Sequence, residues 1–224
     1  MEIMKEVLRN IVARTYKPLL VKYLSKTRIF THEGLKLEIP PEVFHPGFFF
    51  STSFLLQFIK KLSLKGKSLL ELGAGSGLIS FVAARKGSIV TASDINPVAV
   101  QYLRSNAIRN GIQIRILDSD LFNEIPPGTF DLIAINPPYY RKNAVTHRDH
   151  AWFCGENGEY FHRLFESLPA FMNPETEALM VLFEGCDMEM IHGAAAGHGF
   201  NIRCIKRKKN ILETNFIYKI ERKN

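Results

Sequence analysis

What this chain can fold into is most tightly constrained by Leu69-Leu70-Glu71-Leu72-Gly73-Ala74-Gly75-Ser76-Gly77, where a short apolar run passes into three alternating glycines and then a helical pattern over residues 78–86. This is a strand, a tight loop and a helix in succession. Glycine lets the backbone turn sharply and approach a ligand that a Cβ would exclude, and open α/β sheets bind such ligands at the carboxyl edge of their strands. A second strand-and-turn unit lies downstream. Phe130-Asp131-Leu132-Ile133-Ala134-Ile135 has the near-continuous apolar character of a buried parallel strand and ends in Asn136-Pro137-Pro138-Tyr139. Two prolines fix φ and supply carbonyls without N–H groups. A planar NH2 can therefore donate one hydrogen to the Asn136 side-chain oxygen and the other to the Pro137 carbonyl, with the Tyr139 ring over its face. The alternative is a proline-rich turn whose Asn merely caps the strand.

The glycine loop also restricts the ligand. A dinucleotide fingerprint, G-x-G-x-x-G, needs glycine where this chain has Leu78, which weakens a nicotinamide or flavin cofactor. S-adenosylmethionine carries no phosphate and needs only close backbone approach, and Glu71 at the strand tip is suitably placed to hold its ammonium directly or through water. Residues 71–77 together with Asn136-Pro137-Pro138-Tyr139 resemble the class I S-adenosylmethionine-dependent methyltransferases of the amino-methylating group, including the methyltransferase small domain proteins. The resemblance implies cofactor contacts from Glu71, Gly73, Ala74, Gly75, Gly77 and Asn136, and a catalytic role for Asn136, Pro137, Pro138 and Tyr139. It extends to two further strand ends. Residues 88–93 read as a strand ending in Asp94, a carboxylate that can accept both ribose hydroxyls, and Asp94-Ile95-Asn96-Pro97 is similar to the family's second motif. Residues 114–117 read as the next strand, followed by Asp118-Ser119-Asp120-Leu121-Phe122, where the family places an acidic residue against the adenine amino group. Asp120 is the better match, with Leu121 and Phe122 available to pack on the ring. Each aspartate alone is an ordinary turn residue; their common place at successive strand ends supports the ligand assignment.

Two regions are expected. Residues 1–40 form an N-terminal extension: an amphipathic helix within residues 1–26, with Ile3, Val7 and Ile11 against Lys5, Arg9 and Arg14, then a hairpin turning at Thr31-His32-Glu33-Gly34. Residues 41–224 form the methyltransferase domain. Similar methyltransferases carry, near Val43 to Thr52, a segment that folds over the cofactor, although Phe48, Phe49 and Phe50 fit a core equally well. An apolar helix is expected over residues 53–62, and another from Pro97 to the Asn110-Gly111 terminus. Then follow a helix over 160–172, a strand over 176–184, a glycine-broken helix over 187–199, and two alternating strands, 200–206 and 211–220, joined by Arg207-Lys208-Lys209-Asn210. The resemblance implies a doubly wound, mostly parallel seven-stranded α/β sheet, Rossmann-like, closed by a C-terminal antiparallel hairpin.

Composition fits one such unit. Hydrophobic residues make up 46% of 224, ample for a single core, and no apolar run is long enough to span a membrane. Lys5, Arg9 and Arg14 interrupt any secretory pattern, so a cytoplasmic protein is expected. Cys154, Cys186 and Cys204 are widely spaced and unpaired in pattern, which indicates reduced thiols. His147, His150 and Cys154 would share one face of a helix, but no fourth ligand follows, so a polar substrate loop is expected there and no metal.

The turn chemistry suits two acceptors. A glutamine amide and the exocyclic amine of adenine present nearly the same planar NH2, whose lone pair is delocalised and whose proton no side-chain base can remove beforehand. Ala151-Trp152-Phe153-Cys154-Gly155-Glu156-Asn157-Gly158-Glu159 resembles the glycine-containing segment of PrmC/HemK-type release-factor glutamine methyltransferases. Bacterial members carry a helical N-terminal domain for which about 40 residues are too few. Stand-alone archaeal and eukaryotic members are closer in length, and some depend on a small activating partner subunit. A net charge of +7, with clusters at Arg141-Lys142 and Arg207-Lys208-Lys209, modestly favours RNA. The expectation is methylation of a glutamine in a translation-associated protein, ahead of N6-adenine methylation of tRNA or rRNA, with a non-enzymatic cofactor-binding scaffold third.

Overall fold

The computed structural model describes residues 17–210 and 213–223. The amphipathic pattern through Ile3, Val7 and Ile11 lies outside them. The described chain begins with α1 (Lys17–Leu24) and a hairpin, β1 (Arg28–His32) and β2 (Leu35–Ile39), followed by α2 (Phe50–Ile59). An alternating stretch comes next: β3 (Ser68–Leu72), α3 (Leu78–Arg85), β4 (Ile89–Asp94), α4 (Pro97–Arg109), β5 (Arg115–Asp118) and β6 (Leu132–Ile135). The chain continues with α5 (Glu159–Ser167), β7 (Glu177–Phe183), α6 (Met188–Gly197), β8 (Phe200–Lys209) and β9 (Thr214–Arg222).

The sheet order is β5-β4-β3-β6-β7-β9-β8; β5 to β7 run parallel, and β9 is antiparallel to both its neighbours. Both faces are covered, which is why the central strands read as continuous apolar runs. Leu69, Leu132, Ala134, Leu179 and Val181 point into one core with Phe54, Leu55, Leu78, Phe81 and Leu103 of α2, α3 and α4. Their neighbours Leu70, Leu72, Ile133, Ile135, Met180 and Leu182 point into a second core with Phe161, Leu164 and Ile191 of α5 and α6. The two-residue period thus divides each strand between two cores.

The N-terminal hairpin is joined to the first core. Leu35, Leu37 and Ile39 are buried in it. Asn106 and Asn110 on α4 each bond the β2 backbone twice: Asn106 takes the Glu38 N–H (2.8 Å) and donates to its carbonyl (2.9 Å), and Asn110 does the same at Lys36 (both 2.9 Å). The side-chain amides act there as a substitute strand partner. At the amino-terminal edge of the sheet, Asp131 accepts from the Ser68 N–H (2.8 Å), the Ser68 hydroxyl (2.9 Å) and Lys67 Nζ (2.8 Å), and these partners pull its carboxyl down to about 2.

Three local expectations need correction. α2 starts at Phe50 rather than Ser53, so Ser51 and Thr52 lie in its first turn. α5 ends at Ser167 and passes into a 3-10 turn, Leu168–Phe171, because Pro169 has no N–H to continue the helix. Arg207, Lys208 and Lys209 belong to β8 and pair with Phe216, Asn215 and Thr214, instead of forming a connecting loop. A register shift between Cys204 and Lys206 lengthens that strand. Among the described residues no helix is long and apolar enough to cross a membrane.

Candidate active site

The chain leaves β3 toward β4 and β5, then returns to lay β6 on the other side of β3. The glycine loop after β3 and Asn136-Pro137-Pro138-Tyr139 after β6 therefore meet at adjacent carboxyl ends, the switch point at which such sheets bind ligands. A cavity of about 460 Å³ opens between them. Glu71, Gly73, Ala74, Gly75, Asp94, Ile95, Asp120, Leu121 and Asn136 line it, as do Pro137, Pro138 and Tyr139.

Gly77 is not among the lining residues. It caps α3 in the left-handed region (φ 75°), where a Cβ would lie 2.4 Å from Leu103 Cδ2 and 2.6 Å from Phe81 Cε2. Its lack of a side chain serves packing between α3 and α4. Gly73 differs: it is also left-handed (φ 68°), but no atom lies within 4 Å of where its Cβ would be, so the missing side chain leaves open cavity. Phe122, expected near the adenine ring, is buried in the second core and stacked on Phe171 at 4.5 Å. Leu121 alone of the pair faces the cavity.

Three carboxylates mark successive strand ends. Glu71 is 6% exposed, and its Oε2 accepts from both the backbone N–H and the hydroxyl of Ser80. Burial nevertheless pushes its carboxyl up to about 7. Asp94 accepts from the Gly75 N–H (2.7 Å) and the Asn96 N–H (2.9 Å), which ties the glycine loop to the end of β4; burial raises its pKa as well. Asp120 pairs with Arg163 Nη2 at 2.7 Å. Arg163 and Tyr160, both on α5, line the same wall, and burial pushes the Tyr160 phenol up. Nothing in the sequence marked these two beyond their i, i+3 spacing on one helix face.

Around the proline turn, Asn136 Nδ2 donates to Ser51 Oγ (3.3 Å) and Thr52 Oγ1 (3.2 Å) at the start of α2. Sequence reasoning missed both hydroxyls, because a Ser-Thr pair at a helix start ordinarily signals capping. The Trp152 carbonyl accepts from the N–H groups of Tyr139 (3.2 Å) and Tyr140 (2.9 Å), and Cys154 N–H donates to the Tyr140 carbonyl (3.0 Å). The Tyr139 ring packs 4.6 Å from Phe183 and 4.9 Å from Tyr140, and burial pushes its phenol up. Val43 and Phe44 reach over the cavity, and Phe44 and Phe49 close on each other (4.1 Å) and on Trp152 (5.2 and 5.1 Å). The three phenylalanines divide their roles: Phe48 meets Tyr23 and His45, Phe49 joins Trp152, and Phe50 packs against the first core.

His147 and His150 line the cavity mouth, but only residues 149–151 are helical, as a 3-10 turn. Cys154 is buried with its thiol on the Tyr140 carbonyl. Among the described residues no three His, Cys, Asp or Glu side chains are grouped to hold a metal.

Residues 35–162 match the family model described as Methyltransferase small domain. A Methanocaldococcus jannaschii protein, provisionally assigned as a protein N5-glutamine methyltransferase, is 37% identical over 147 residues, 62% of this chain and 72% of that one. The E. cuniculi Mtq2–Trm112 complex, described as methylating the eRF1 translation termination factor, aligns with a TM-score of 0.61 at 22% identity, over 81% of this chain and 99% of its own. A T. thermophilus 16S rRNA N2 methyltransferase, solved with AdoMet and guanosine, aligns with a TM-score of 0.64 at 19% identity, over 89% of this chain and half (50%) of its own. Fold, cavity and sequence together define a class I S-adenosylmethionine-dependent methyltransferase. Within that class the chain belongs to the methyltransferase small domain family, and it is an N-methyltransferase of the PrmC-like type that uses S-adenosylmethionine.

Proposed function

We propose that the enzyme methylates the side-chain amide nitrogen of a glutamine in a translation-associated protein, using Asn136, Pro137, Pro138 and Tyr139. The observation that carries this reading is a pair of unused acceptors. Among the described residues neither Asn136 Oδ1 nor the Pro137 carbonyl accepts a hydrogen bond, although both belong to the turn lining the cavity. Two acceptors on consecutive residues, with no N–H on either proline, match in number the two hydrogens of a planar NH2.

The cavity residues fit the cofactor. Gly73 leaves room for close approach, Asp94 is a buried carboxylate that would take vicinal hydroxyls, Asp120 and Leu121 would hold the adenine, and Glu71 Oε1, free of the Ser80 bonds, would take an ammonium. S-adenosylmethionine supplies an electrophilic methyl: the N–C bond forms as the C–S bond breaks, and the electron pair stays on sulfur. Asn136 Oδ1 and the Pro137 carbonyl hold both hydrogens of the acceptor nitrogen, turn its lone pair toward the methyl and favour rehybridisation as positive charge develops. Tyr139 covers the amide face, and Phe44 with Trp152 limits water. In-line positioning of this kind contributes about 7–11 kcal/mol in well-oriented sites. The extra proton leaves to solvent after transfer, so no side-chain base is required.

The relative from M. jannaschii favours glutamine. Adenine N6 presents the same group, and the exposed basic residues of β8 favour it as the second reading. Tritiated S-adenosylmethionine is incubated with the enzyme and a lysate, digested with nuclease or protease, and the product resolved by mass spectrometry. N5-methylglutamine is expected; N6-methyladenosine without modified glutamine overturns the preferred acceptor.

A further inference from the structure

The Asn136 amide has two orientations related by a flip, nearly identical in shape and opposite in chemistry. One aims Oδ1 at the acceptor nitrogen. The other aims an NH2 group at another NH2 group, donor against donor, and cannot hold it. Nothing in the proline turn itself selects between them, because Pro137 and Pro138 have no N–H to engage Oδ1.

We propose that Ser51 and Thr52 are positioning residues for methyl transfer: by accepting together from Asn136 Nδ2 they hold the amide with Oδ1 facing the target nitrogen. The inference rests on the reading above that Asn136 meets that nitrogen. An amide NH2 has two hydrogens, and the two hydroxyls, on consecutive residues, lie 3.3 and 3.2 Å from Nδ2. Both hydroxyl-bearing residues are only 8% exposed. They stand in the first turn of α2, which is anchored in the first core by Phe54, Leu55, Leu56 and Ile59. That helix makes no side-chain cap at Phe49, so neither hydroxyl is used for capping there. Each hydroxyl can accept from Nδ2 through a lone pair and still keep its own proton to donate elsewhere. The connection also spans the site: α2 follows the segment over the cavity mouth, while Asn136 ends β6. The two sides of the cavity are thus joined at the reacting amide.

The test compares Ser51→Ala/Thr52→Val with the single variant Thr52→Ser, which keeps both hydroxyls. S-adenosylmethionine affinity is read by calorimetry, and rate by tritium transfer into lysate macromolecules over a dilution series at saturating cofactor. The double variant is expected to bind S-adenosylmethionine within about twofold of wild type and to lose about 100-fold in limiting rate, the scale of a misplaced reacting group. Thr52→Ser should stay near wild type. In the double variant the Asn136 side-chain resonances, observed by 15N NMR, should shift and exchange faster. Wild-type rate in the double variant overturns the proposal, as does parallel loss of rate and cofactor affinity, which would make the pair part of the cofactor site or of the fold. Label found in N6-methyladenosine with the same variant pattern would overturn the glutamine assignment and still support the hydroxyl pair.

Discussion

At the scale of single residues, the site separates groups that bind from groups that orient. Asn136 is assigned to the acceptor nitrogen, so Asn136→Ala should retain most S-adenosylmethionine affinity by calorimetry while turnover falls roughly two to three orders of magnitude, as for other pre-organised hydrogen-bonding groups. Loss of cofactor binding with turnover would remove that separation. Tyr139→Phe should be milder than Tyr139→Ala, because the ring and not the hydroxyl packs against Phe183 and Tyr140. Glu71 gives a pH dependence with two signs. Its carboxyl is pushed by burial from the ordinary 4.5 up to about 7 in the folded protein. The ionised form is therefore disfavoured by folding, and that penalty is present above about 7 and relieved as pH falls toward 4.5. Stability of the ligand-free enzyme should accordingly gain from Glu71 as pH falls through this window. S-adenosylmethionine affinity should fall over the same range, approaching tenfold per pH unit, if the ammonium needs the carboxylate. Glu71→Gln should flatten both profiles. That variant isolates Glu71 from Asp94, whose pKa is also raised.

Among the secondary-structure elements, the loop between β3 and α3 shows how one glycine pattern carries two kinds of demand. Gly77→Ala should destabilise the fold by roughly 2–4 kcal/mol, from left-handed strain and from overpacking against Leu103 and Phe81. Gly73→Ala should cost only about 1–2 kcal/mol, the left-handed strain alone, since its Cβ would meet nothing. Cofactor affinity should rank the other way. Gly73→Ala puts a methyl into the cavity and should weaken S-adenosylmethionine binding strongly, whereas folded Gly77→Ala should bind nearly normally. Urea denaturation and calorimetry on both variants check the reversal; equal effects on both quantities would mean that the loop acts as one unit. The strands that position this loop were legible as apolar runs because each is buried on both faces. The start of α2 and the end of β8 were less so, since a helix can begin at Phe50 without a capping side chain and a bulge lets β8 run on to Lys209.

Across the whole molecule, charge and cavity make competing suggestions about the acceptor. Lys206, Arg207 and Lys209 are exposed on the terminal strand of the sheet, while Lys208 lies over the Phe50 ring at 5.2 Å and bonds Gln57. Under the glutamine reading, neutralising Lys206, Arg207 and Lys209 together should leave methylation of the ribonuclease-treated acceptor almost unchanged. Under the adenine reading the same triple variant should weaken binding across sequences and flatten its salt dependence, by about 0.7–0.9 in logarithmic slope for each phosphate no longer neutralised. Rates measured across a salt series decide between them. The N-terminal hairpin also matters at this scale. Its β2 residues share the first core with the helices of the main sheet, and Asn106 and Asn110 clamp its backbone.

The sequence by itself determined the class of fold and the chemistry of the turn. Apolar period, alternating glycines and consecutive prolines act through local sterics, which any chain with those residues must obey. It also marked Glu71, Asp94 and Asp120, because carboxylates at successive strand ends converge on one edge once the strands are parallel. Only the tertiary structure decided which of these residues face the cavity. Gly77 and Phe122 point into cores, while Tyr160 and Arg163 arrive from a helix far along the chain. The same holds for Ser51 and Thr52, whose partner Asn136 lies across the fold. A side-chain contact between distant segments depends on helix register, cap position and crossover geometry together, and these quantities are fixed by packing rather than by any local run of residues.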